Sequence, residues 1–433
     1  MSSRPAQTRR TGTRRSGTRR SGTRRSGTRR SGTRRTRTRL VTPRFALVVG
    51  AGMAYFLALG VVLPVVPQYV ERRLDGGSVA VGVAVGALFV GAVLLRPYVG
   101  RVGDRVGRRV LIVVGAAVVA VSVVLYGAVE SLPFLVGARA LTGLGEAAFF
   151  VGAATMITDL APADRRGEAI SYWSVAVYGG LAFGPVLGET LVDDHGYGAA
   201  WVVAGLLAAF AAVLGLFTRE TERPSADAGP PPGGILNRAA LGPGTLLFSG
   251  LIALAAFTAF VPLYVDDVGL GSADVVFLLY GGLVLAVRIV GARLPDILGG
   301  RRSGAMALAA TAAGMTVMAA WGTTAGLLAG TLLFAVGMSL LYPALLLLAL
   351  GGAPEAERAS VVGTFSGFFD LSQGVGSILV GAVAAGAGYR GAFGAGAVFA
   401  AAGCAAILVR VGRRARRVVS SELDAMAVEH PGP

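Results

Sequence analysis

The chain has 433 residues, of which 15% are charged and 54% hydrophobic, and its mean hydropathy is +0.66. A soluble protein would carry about 25% charged residues, so this composition excludes an ordinary soluble protein and indicates one embedded in a membrane. The net charge of +16 does not indicate a nucleic-acid partner, because residues 1–40 hold fifteen Arg and no acid, which leaves +1 for the rest.

Residues 1–44 are predicted to form a disordered, Arg-rich cytoplasmic tail. A five-residue unit, Gly-Thr-Arg-Arg-Ser, repeats over residues 9–39 and offers no apolar side chain for a core. One interpretation is binding to anionic lipid, at roughly 1 kcal/mol per Arg near the surface. The other is a replication-slippage expansion or an over-extended gene start, with translation beginning near Val41.

Apolar runs of about 20 residues follow one another from Phe45, and each could cross a ~30 Å hydrocarbon core as a helix. We expect twelve spans, at 45–66, 77–97, 110–129, 133–158, 169–190, 198–217, 245–265, 272–293, 303–321, 326–350, 361–386 and 390–410. They divide into an N-terminal six-helix half (45–217), a cytoplasmic linker (218–244) and a C-terminal six-helix half (245–410), followed by a C-terminal tail (411–433). The predicted fold is an all-α polytopic membrane protein.

Arginine is concentrated on one side of these predicted spans, which predicts their orientation by the positive-inside rule. The predicted cytoplasmic breaks hold Arg101, Arg105, Arg108, Arg109, Arg165, Arg166, Arg219, Arg223, Arg238, Arg293, Arg301, Arg302 and Arg358, and Arg410 to Arg417 follow the last span. The other side holds only Arg72, Arg73 and Arg390. We therefore expect a plasma-membrane protein with both termini in the cytoplasm.

The two halves repeat each other in sequence. The pattern Arg96-x7-Asp104-x2-Gly107-x-Arg109 recurs 192 residues later as Arg288-x7-Asp296-x2-Gly299-x-Arg301. The same shift takes Pro162-x3-Arg166 to Pro354-x3-Arg358, and Pro67-x-Tyr69-Val70-Glu71 is answered by Pro262-x-Tyr264-Val265-Asp266. Parallel six-helix halves are the layout of alternating-access transporters, with the solute held between the halves near the midplane.

After the second span the chain reads Gly100-Arg-Val-Gly-Asp-Arg-Val-Gly-Arg-Arg109. This segment resembles the signature between helices two and three of the major facilitator superfamily, with matches at Gly100, Asp104, Arg105, Gly107, Arg108 and Arg109. The resemblance covers about 45–411 and implies the twelve-helix fold of proton-coupled drug and sugar efflux permeases. It implies that Asp104, Arg105 and Arg109 form a latch that exists only while the cytoplasmic ends of the halves are closed.

A basic loop that only obeys the positive-inside rule would explain these arginines, but not Asp104 or the glycine spacing. In the second copy Pro295 replaces Gly103 and Ile297 replaces Arg105, so its latch should be weaker.

The fifth span resembles the antiporter motif of the family's exporters, through Gly180, Gly184, Pro185 and Gly188. Glycines four apart allow close helix packing, and the proline bends the helix. Ser171 and Glu189 stand where the motif has further glycines, so export is favoured over uptake without being fixed. In the fourth span Arg139-x3-Gly143-x-Gly145 resembles the Arg-containing motif shared by proton-driven members.

Three ionisable residues lie inside predicted spans: Arg139, Glu146 and Asp370. Each costs about 2.5–3.5 kcal/mol at the bilayer centre and so requires a reason to be there. We hypothesise that Glu146 and Asp370, one from each half, bind and release protons, with Arg139 on the same helical face as Glu146. The alternative is a neutral carboxyl group that is hydrogen-bonded between helices. Arg96 and Arg288 are near the cytoplasmic ends of spans two and eight, where they can reach the membrane surface, so we interpret them as positional first and functional second.

The predicted solute cavity is lined by Tyr172, Trp173, Tyr178, Phe369 and Gln373, although aromatic residues in helices more often serve packing. No cofactor or metal is expected, since both histidines lie outside the spans, Cys404 is the only cysteine, and no Gly-x4-Gly-Lys-Ser/Thr loop occurs. The sequence shows no set of catalytic residues of the kind that a membrane enzyme would need.

The leading hypothesis is proton-coupled export of a small, drug-like or amphipathic organic solute by a monomer. Nutrient uptake by symport or facilitated diffusion, and a non-transporting sensor, stay open as alternatives.

Overall fold

The computed structural model describes residues 40–162, 165–221, 236–291, 294–351, 353–354 and 357–429, and all regular structure in these ranges is helical. The repeat tail at residues 1–39 and most of the predicted linker lie outside the described residues. The helices are α1 (Pro43–Arg72), α2 (Ser78–Val106), α3 (Arg108–Leu125), α4 (Leu132–Leu160), α5 (Arg166–His195), α6 (Tyr197–Phe217), α7 (Arg238–Asp267), α8 (Asp274–Val290), α9 (Leu294–Ala320), α10 (Thr324–Leu350) and α11 (Arg358–Glu429). A 3-10 turn, Tyr126–Ala128, follows α3.

The described helices have room for the twelve spans expected from the sequence. Within the described residues, ten helices are long and apolar enough to span a bilayer. Helix α8 adds 17 residues, or about 26 Å of length at 1.5 Å per residue. The apolar part of α11, Ser360–Val409, is 50 residues long, and its helical backbone is interrupted at Gly388, which leaves a segment on each side that is long enough for a span.

The internal repeat is confirmed by the backbone. Gly107 and Gly299, 192 residues apart, share φ and ψ near 104°, 155° and 78°, 151°. Gly196 and Gly388 have the same separation and again match, with φ of 80° and 69° and ψ of 176° and −179°. Positive φ is a conformation that glycine adopts without steric cost. Each pair therefore marks the same connection in the two halves.

Helices α1–α6 correspond to the first copy of the repeat, called the N-terminal half here, and α7–α11 to the second copy, the C-terminal half. The halves meet where α2 packs on α11, α5 on α8, and α1 on α7. The first two of these contacts are equivalent under the repeat. Glycines make the α2–α11 contact close: a Cβ on Gly82 would lie 2.3 Å from the carbonyl oxygen of Ser377, and one on Gly86 would lie 2.5 Å from that of Gly374. Small residues permit such backbone approach in a membrane.

Helix α4 lies between α2 and α3 in the N-terminal half. Gly143 faces the backbone of Leu88 in α2, and Gly145 faces that of Gly115 in α3, at distances that leave no room for a side chain. This packing fixes the rotation of α4 and so determines where its charged residue Glu146 points.

The helical bundle has two ends, which differ in the loops they contain. The α1–α2 end holds the loop between those helices, and the α2–α3 end holds Gly107.

Candidate functional site

Arg96, in α2, lies between two carboxylates that come from opposite halves. Its Nη2 donates a hydrogen bond of 3.4 Å to Oε2 of Glu146 in α4, within the same half. Its Nε lies 2.8 Å from Oδ2 of Asp370 in α11, in the other half. The side chains of Arg96, Glu146 and Asp370 are 17%, 13% and 2% exposed. We call these three residues the charged triad.

The charged triad is not electrically balanced. With both carboxylates ionised it carries one net negative charge, and burial makes such an excess costly. The contact between Nε and Oδ2 is an ion pair without aligned hydrogen-bond geometry, since neither atom has a hydrogen-bond partner. A proton at either carboxyl group would remove the excess charge.

Glu146 lies in α4 and Asp370 in α11, and their part in proton coupling stays a prediction, whereas the expectation for Arg96 was wrong. Instead of reaching the membrane surface, Arg96 turns inward to the carboxylates, and its guanidinium carbon lies 5.5 Å from the centroid of Phe150. The ion pairs lower the cost of keeping this cation inside the protein. The signal that could have identified it is the pair of acidic residues that otherwise lack a buried cation.

Arg139 is buried at 4% exposure, and its hydrogen bonds go to the backbone of α2. Its Nε donates to the carbonyl oxygen of Ala84 at 3.0 Å, and its Nη2 to that of Val85 at 3.3 Å. Glu146 is contacted by Arg96 rather than by Arg139. The predicted part of Arg139 in proton coupling therefore stays a prediction, and its described contacts join α4 to α2.

A second arginine occupies the equivalent position in the C-terminal half. Arg288 and Tyr178 stand 192 residues from Arg96 and Asp370 respectively, and they also meet across the halves. The guanidinium carbon of Arg288, in α8, lies 3.8 Å from the ring centroid of Tyr178 in α5. This is a cation–π contact where the other copy has an ion pair.

The other predicted cavity residues are placed as follows. Phe369 meets Phe89 edge to face across the halves, with centroids 6.4 Å apart. Gln373 is 2% exposed and donates to the carbonyl oxygen of Leu251 in α7 at 3.2 Å. Phe369 lies beside Asp370 on α11, so it and Tyr178 are the predicted residues nearest the contacts between halves.

Tyr172 and Trp173 have different surroundings. Tyr172 is 42% exposed and touches Phe45, whereas Trp173 is 7% exposed. Trp173 packs against Phe56 and Phe150 inside the N-terminal half. Contact with a solute stays a prediction for both residues.

The described contacts of the signature between α2 and α3 are all with residues of its own half. Glu220, after α6, accepts hydrogen bonds from the backbone N–H groups of Arg108 and Arg109, at 2.8 and 3.1 Å. Nε of Arg108 lies 3.5 Å from Asp159 at the end of α4, and Arg109 donates to the carbonyl oxygen of Leu216. Glu220 thus caps the N-terminus of α3, where a negative charge is favourable.

Gly107 is required there for space as well as for its positive φ, because a Cβ would lie 2.2 Å from Glu220 Oε2. Arg105 is exposed. Gly100 and Asp104 lie on α2, but the side chain of Asp104 is outside the described part, so its latch function stays a prediction.

The glycines of the fifth span pack α5 against α1. A Cβ on Gly180 would lie 2.5 Å from the backbone nitrogen of Leu57, and one on Gly184 would lie 2.5 Å from Cα of Gly60. Gly188 similarly faces the carbonyl oxygen of Val61, and Pro185 lies within the helix. The close packing expected from the glycine spacing is present, whereas the direction of transport that the motif suggests is not tested by it.

Sequence reasoning missed a polar network at the α1–α2 end. Glu189, 3% exposed, accepts a 2.8 Å hydrogen bond from Gln68, whose Oε1 accepts one from Arg72 at 3.2 Å. Arg72 continues to Asp266 of the other half at 2.5 Å. Tyr389 donates a short hydrogen bond to Glu71, again across the halves. These contacts hold the halves together at the α1–α2 end.

Among the described residues no group of histidine, cysteine and acidic side chains has the arrangement of a metal site.

Comparisons with known proteins agree on one family. The sequence pattern of the Major Facilitator Superfamily matches residues 48–361. An uncharacterized MFS-type transporter of Pseudomonas aeruginosa is 30% identical over 391 residues, covering 84% of this chain and 91% of that protein. One of Salmonella typhimurium is 28% identical over 362 residues, covering 81% and 92%.

Solved structures show the same fold. A bacterial homologue of the human lysosomal transporter Spinster, in an inward-facing conformation, superposes with a TM-score of 0.71 at 17% identity, covering 85% of this chain and 97% of that one. The nucleoside transporter NupG superposes with a TM-score of 0.68 at 13% identity, covering 85% and 99%.

Proposed function

Because the chain belongs to the Major Facilitator Superfamily of membrane transporters, we propose that it couples the export of a small organic solute to the movement of protons. The observation that carries this proposal is the charged triad, in which Arg96 bridges carboxylates from both halves. An ion pair between the halves is a contact that must change when the halves move relative to each other.

Protonation gives that contact two states. When both Glu146 and Asp370 are ionised, they share one guanidinium and leave one negative charge uncompensated in a buried position. A proton on Asp370 cancels that charge and weakens the only described ion pair of Arg96 with the other half. Proton binding therefore shifts the balance between conformations, as any ligand with unequal affinity for two states must.

The direction is supported by the glycines of α5, which resemble the motif of exporters and form the close α1–α5 contact. In this proposal the protein works as a monomer in the plasma membrane with both termini in the cytoplasm, and the Arg-rich tail binds anionic lipid there. Uptake by symport is the second candidate, because Ser171 and Glu189 depart from that motif. The two directions differ in whether solute and protons cross the membrane oppositely or together.

Reconstitution in vesicles tests the proposal. Purified protein is placed in proteoliposomes with an acidic lumen, and a panel of amphipathic organic solutes is screened for accumulation against a concentration gradient. We expect accumulation in the lumen by the wild type, because protons leaving the lumen drive solute entry. Glu146→Gln and Asp370→Asn should reduce accumulation to the level seen without a pH gradient while downhill exchange continues.

Asp194→Asn, which neutralises an exposed carboxylate at the end of α5, is the matched control and should behave as the wild type. Accumulation that persists in both carboxyl variants would disprove proton coupling at the charged triad. Accumulation only with an acidic exterior would establish symport, and no transport of any solute would leave a sensor as the better description.

A further inference from the structure

The repeat shows what is missing beside Arg288. Arg96 has Glu146 and Asp370 as partners, whereas the residues equivalent to these carboxylates in the other copy are Met338 and Tyr178. The contact between arginine and the opposite half is kept in both copies, but the negative charge is kept in only one.

Arg288 is therefore a cation without a counter-ion in the part of the chain that the structure describes. Among the described residues it forms no ion pair, and its Nε is buried without a hydrogen-bond partner. An unpaired cation in a membrane-spanning segment is costly, and such residues mark substrate or ion pathways. The ring of Tyr178 offsets only part of that cost.

Arg288 keeps a donor that no described residue uses. Its guanidinium carbon lies 3.8 Å from the centroid of the Tyr178 ring, and its Nε has no hydrogen-bond partner among the described residues. Planar guanidinium N–H groups match the two oxygens of a carboxylate in a bidentate pair. The site lies between α5 and α8, at one of the contacts between halves where this fold holds its solute.

Two tyrosines, Tyr280 and Tyr342, interact electrostatically with Tyr178. Tyr280 precedes Arg288 on α8 by about two turns and packs against Phe257, with centroids 4.9 Å apart. Tyr342 is half-buried, and its hydroxyl lies 3.2 Å from the hydroxyl of Ser366. A solute with an aromatic body and one negative group would find apolar contacts and a cation together.

We propose that Arg288 binds the anionic group of the transported solute, and that the solute is an aromatic or amphipathic carboxylate. The proposal rests on the function proposed above, since it names the solute class of the same transporter. The solute's carboxylate supplies to Arg288 the charge that Asp370 supplies to Arg96.

Equilibrium binding to purified protein tests this assignment without any proton gradient. Thermal unfolding is followed with matched pairs of probes: benzoate and benzamide, 1-naphthoate and 1-naphthamide, indole-3-acetate and indole-3-acetamide. We expect at least one carboxylate to bind the wild type about tenfold more tightly than its amide. Arg288→Gln should remove that preference, and Arg288→Lys should keep it at weaker affinity because the bidentate geometry is lost.

Two further variants make the outcome decisive. Arg302→Gln, which removes an exposed arginine of the same half, should retain the wild-type preference. Tyr178→Asp should fold and abolish carboxylate binding, because the new carboxylate occupies Arg288 as Asp370 occupies Arg96. This variant answers the question even if Arg288→Gln does not fold.

The proposal is overturned if no carboxylate binds the wild type better than its amide, or if the preference survives in Arg288→Gln or Tyr178→Asp. Because the binding measurement uses no pH gradient, its outcome is independent of the test of proton coupling. A carboxylate preference with no gradient-driven accumulation would retain the anion site and reject the coupling.

Discussion

Arg96 has to satisfy two carboxylates at once, and this determines the energetics of the charged triad. Removing one member of a buried pair leaves the other charge without compensation, at a cost of about 3–5 kcal/mol. Removing a carboxylate from the charged triad is different, because Arg96 keeps the second one. The three residues should therefore be unequal in their effect on stability.

We predict that Arg96→Gln lowers the free energy of unfolding by about 3–5 kcal/mol, since it leaves two buried carboxylates unpaired. Asp370→Asn should cost less, because the net charge of the remaining pair is zero. In the double variant the two effects should fall short of additivity, since they act on one contact. Chemical denaturation of the protein in detergent micelles, with all three variants in parallel, measures this.

If the costs of the two single variants add up in the double variant, or if Arg96→Gln is as stable as the wild type, the ion pair contributes nothing to the free energy of unfolding. Arg44→Gln, at an exposed position near the start of α1, is a suitable control for loss of an arginine.

Of the charged triad, only the two carboxylates could be predicted from the sequence. The cost of burying charge identifies Glu146 and Asp370 without a structure, because a lone carboxylate in an apolar run is conspicuous. The partner of Asp370 lies far away in sequence, in the other half, and arginine near the end of a span is equally compatible with reaching the surface. Only the packing of α2 on α11 decides between these positions.

At the scale of helices, glycine determines which pairs approach closely. Gly180, Gly184 and Gly188 follow one another on the face of α5 that meets α1, and Gly60 supplies the facing small residue. The spacing of four residues predicts this stripe directly. The sequence does not reveal which helix packs against this glycine stripe, since glycines are abundant in most of the spans.

We predict that Gly184→Ala destabilises the protein by about 1–3 kcal/mol, as overpacking of a close contact does. Its Cβ would lie 2.5 Å from Cα of Gly60, so α1 and α5 would have to separate. Gly282→Ala in α8 is the matched control, because nothing lies within 4 Å of its Cβ position. That control should be neutral or stabilising by up to about 1 kcal/mol, since alanine favours helix.

The measurement is again the unfolding free energy of the three proteins under identical conditions. Equal stability of Gly184→Ala and Gly282→Ala would show that the α1–α5 contact tolerates a methyl group, and that the stripe has no packing role.

For the whole molecule, the internal repeat is the feature from which most of the fold could be predicted. The 192-residue shift predicted two equivalent halves, and the matching backbone at Gly107 and Gly299 shows how closely their connections agree. What the repeat could not supply is the difference between the halves. That difference arises from side chains that have changed in one copy, such as Tyr178 in place of a carboxylate where the halves meet.

The described polar contacts between the halves fall into two groups. At the α1–α2 end, Arg72 with Asp266 and Tyr389 with Glu71 hold the halves together. Farther along the helices, the charged triad and the contact of Arg288 with Tyr178 do so. Alternating access requires contacts of this kind to form and break in sequence. The arrangement puts the proposed proton site and the proposed solute site in equivalent positions on the two interfaces.

The proton flux that a solute produces shows whether solute and proton movement are coupled at the charged triad. Vesicles containing the protein, weakly buffered and with a pH indicator in the lumen, start without a pH gradient and receive a transported solute outside. We expect a solute-dependent pH change in the wild type that is absent in Asp370→Asn, although that variant still exchanges labelled solute. Solute movement without any pH change in the wild type, or an equal pH change in Asp370→Asn, would contradict it.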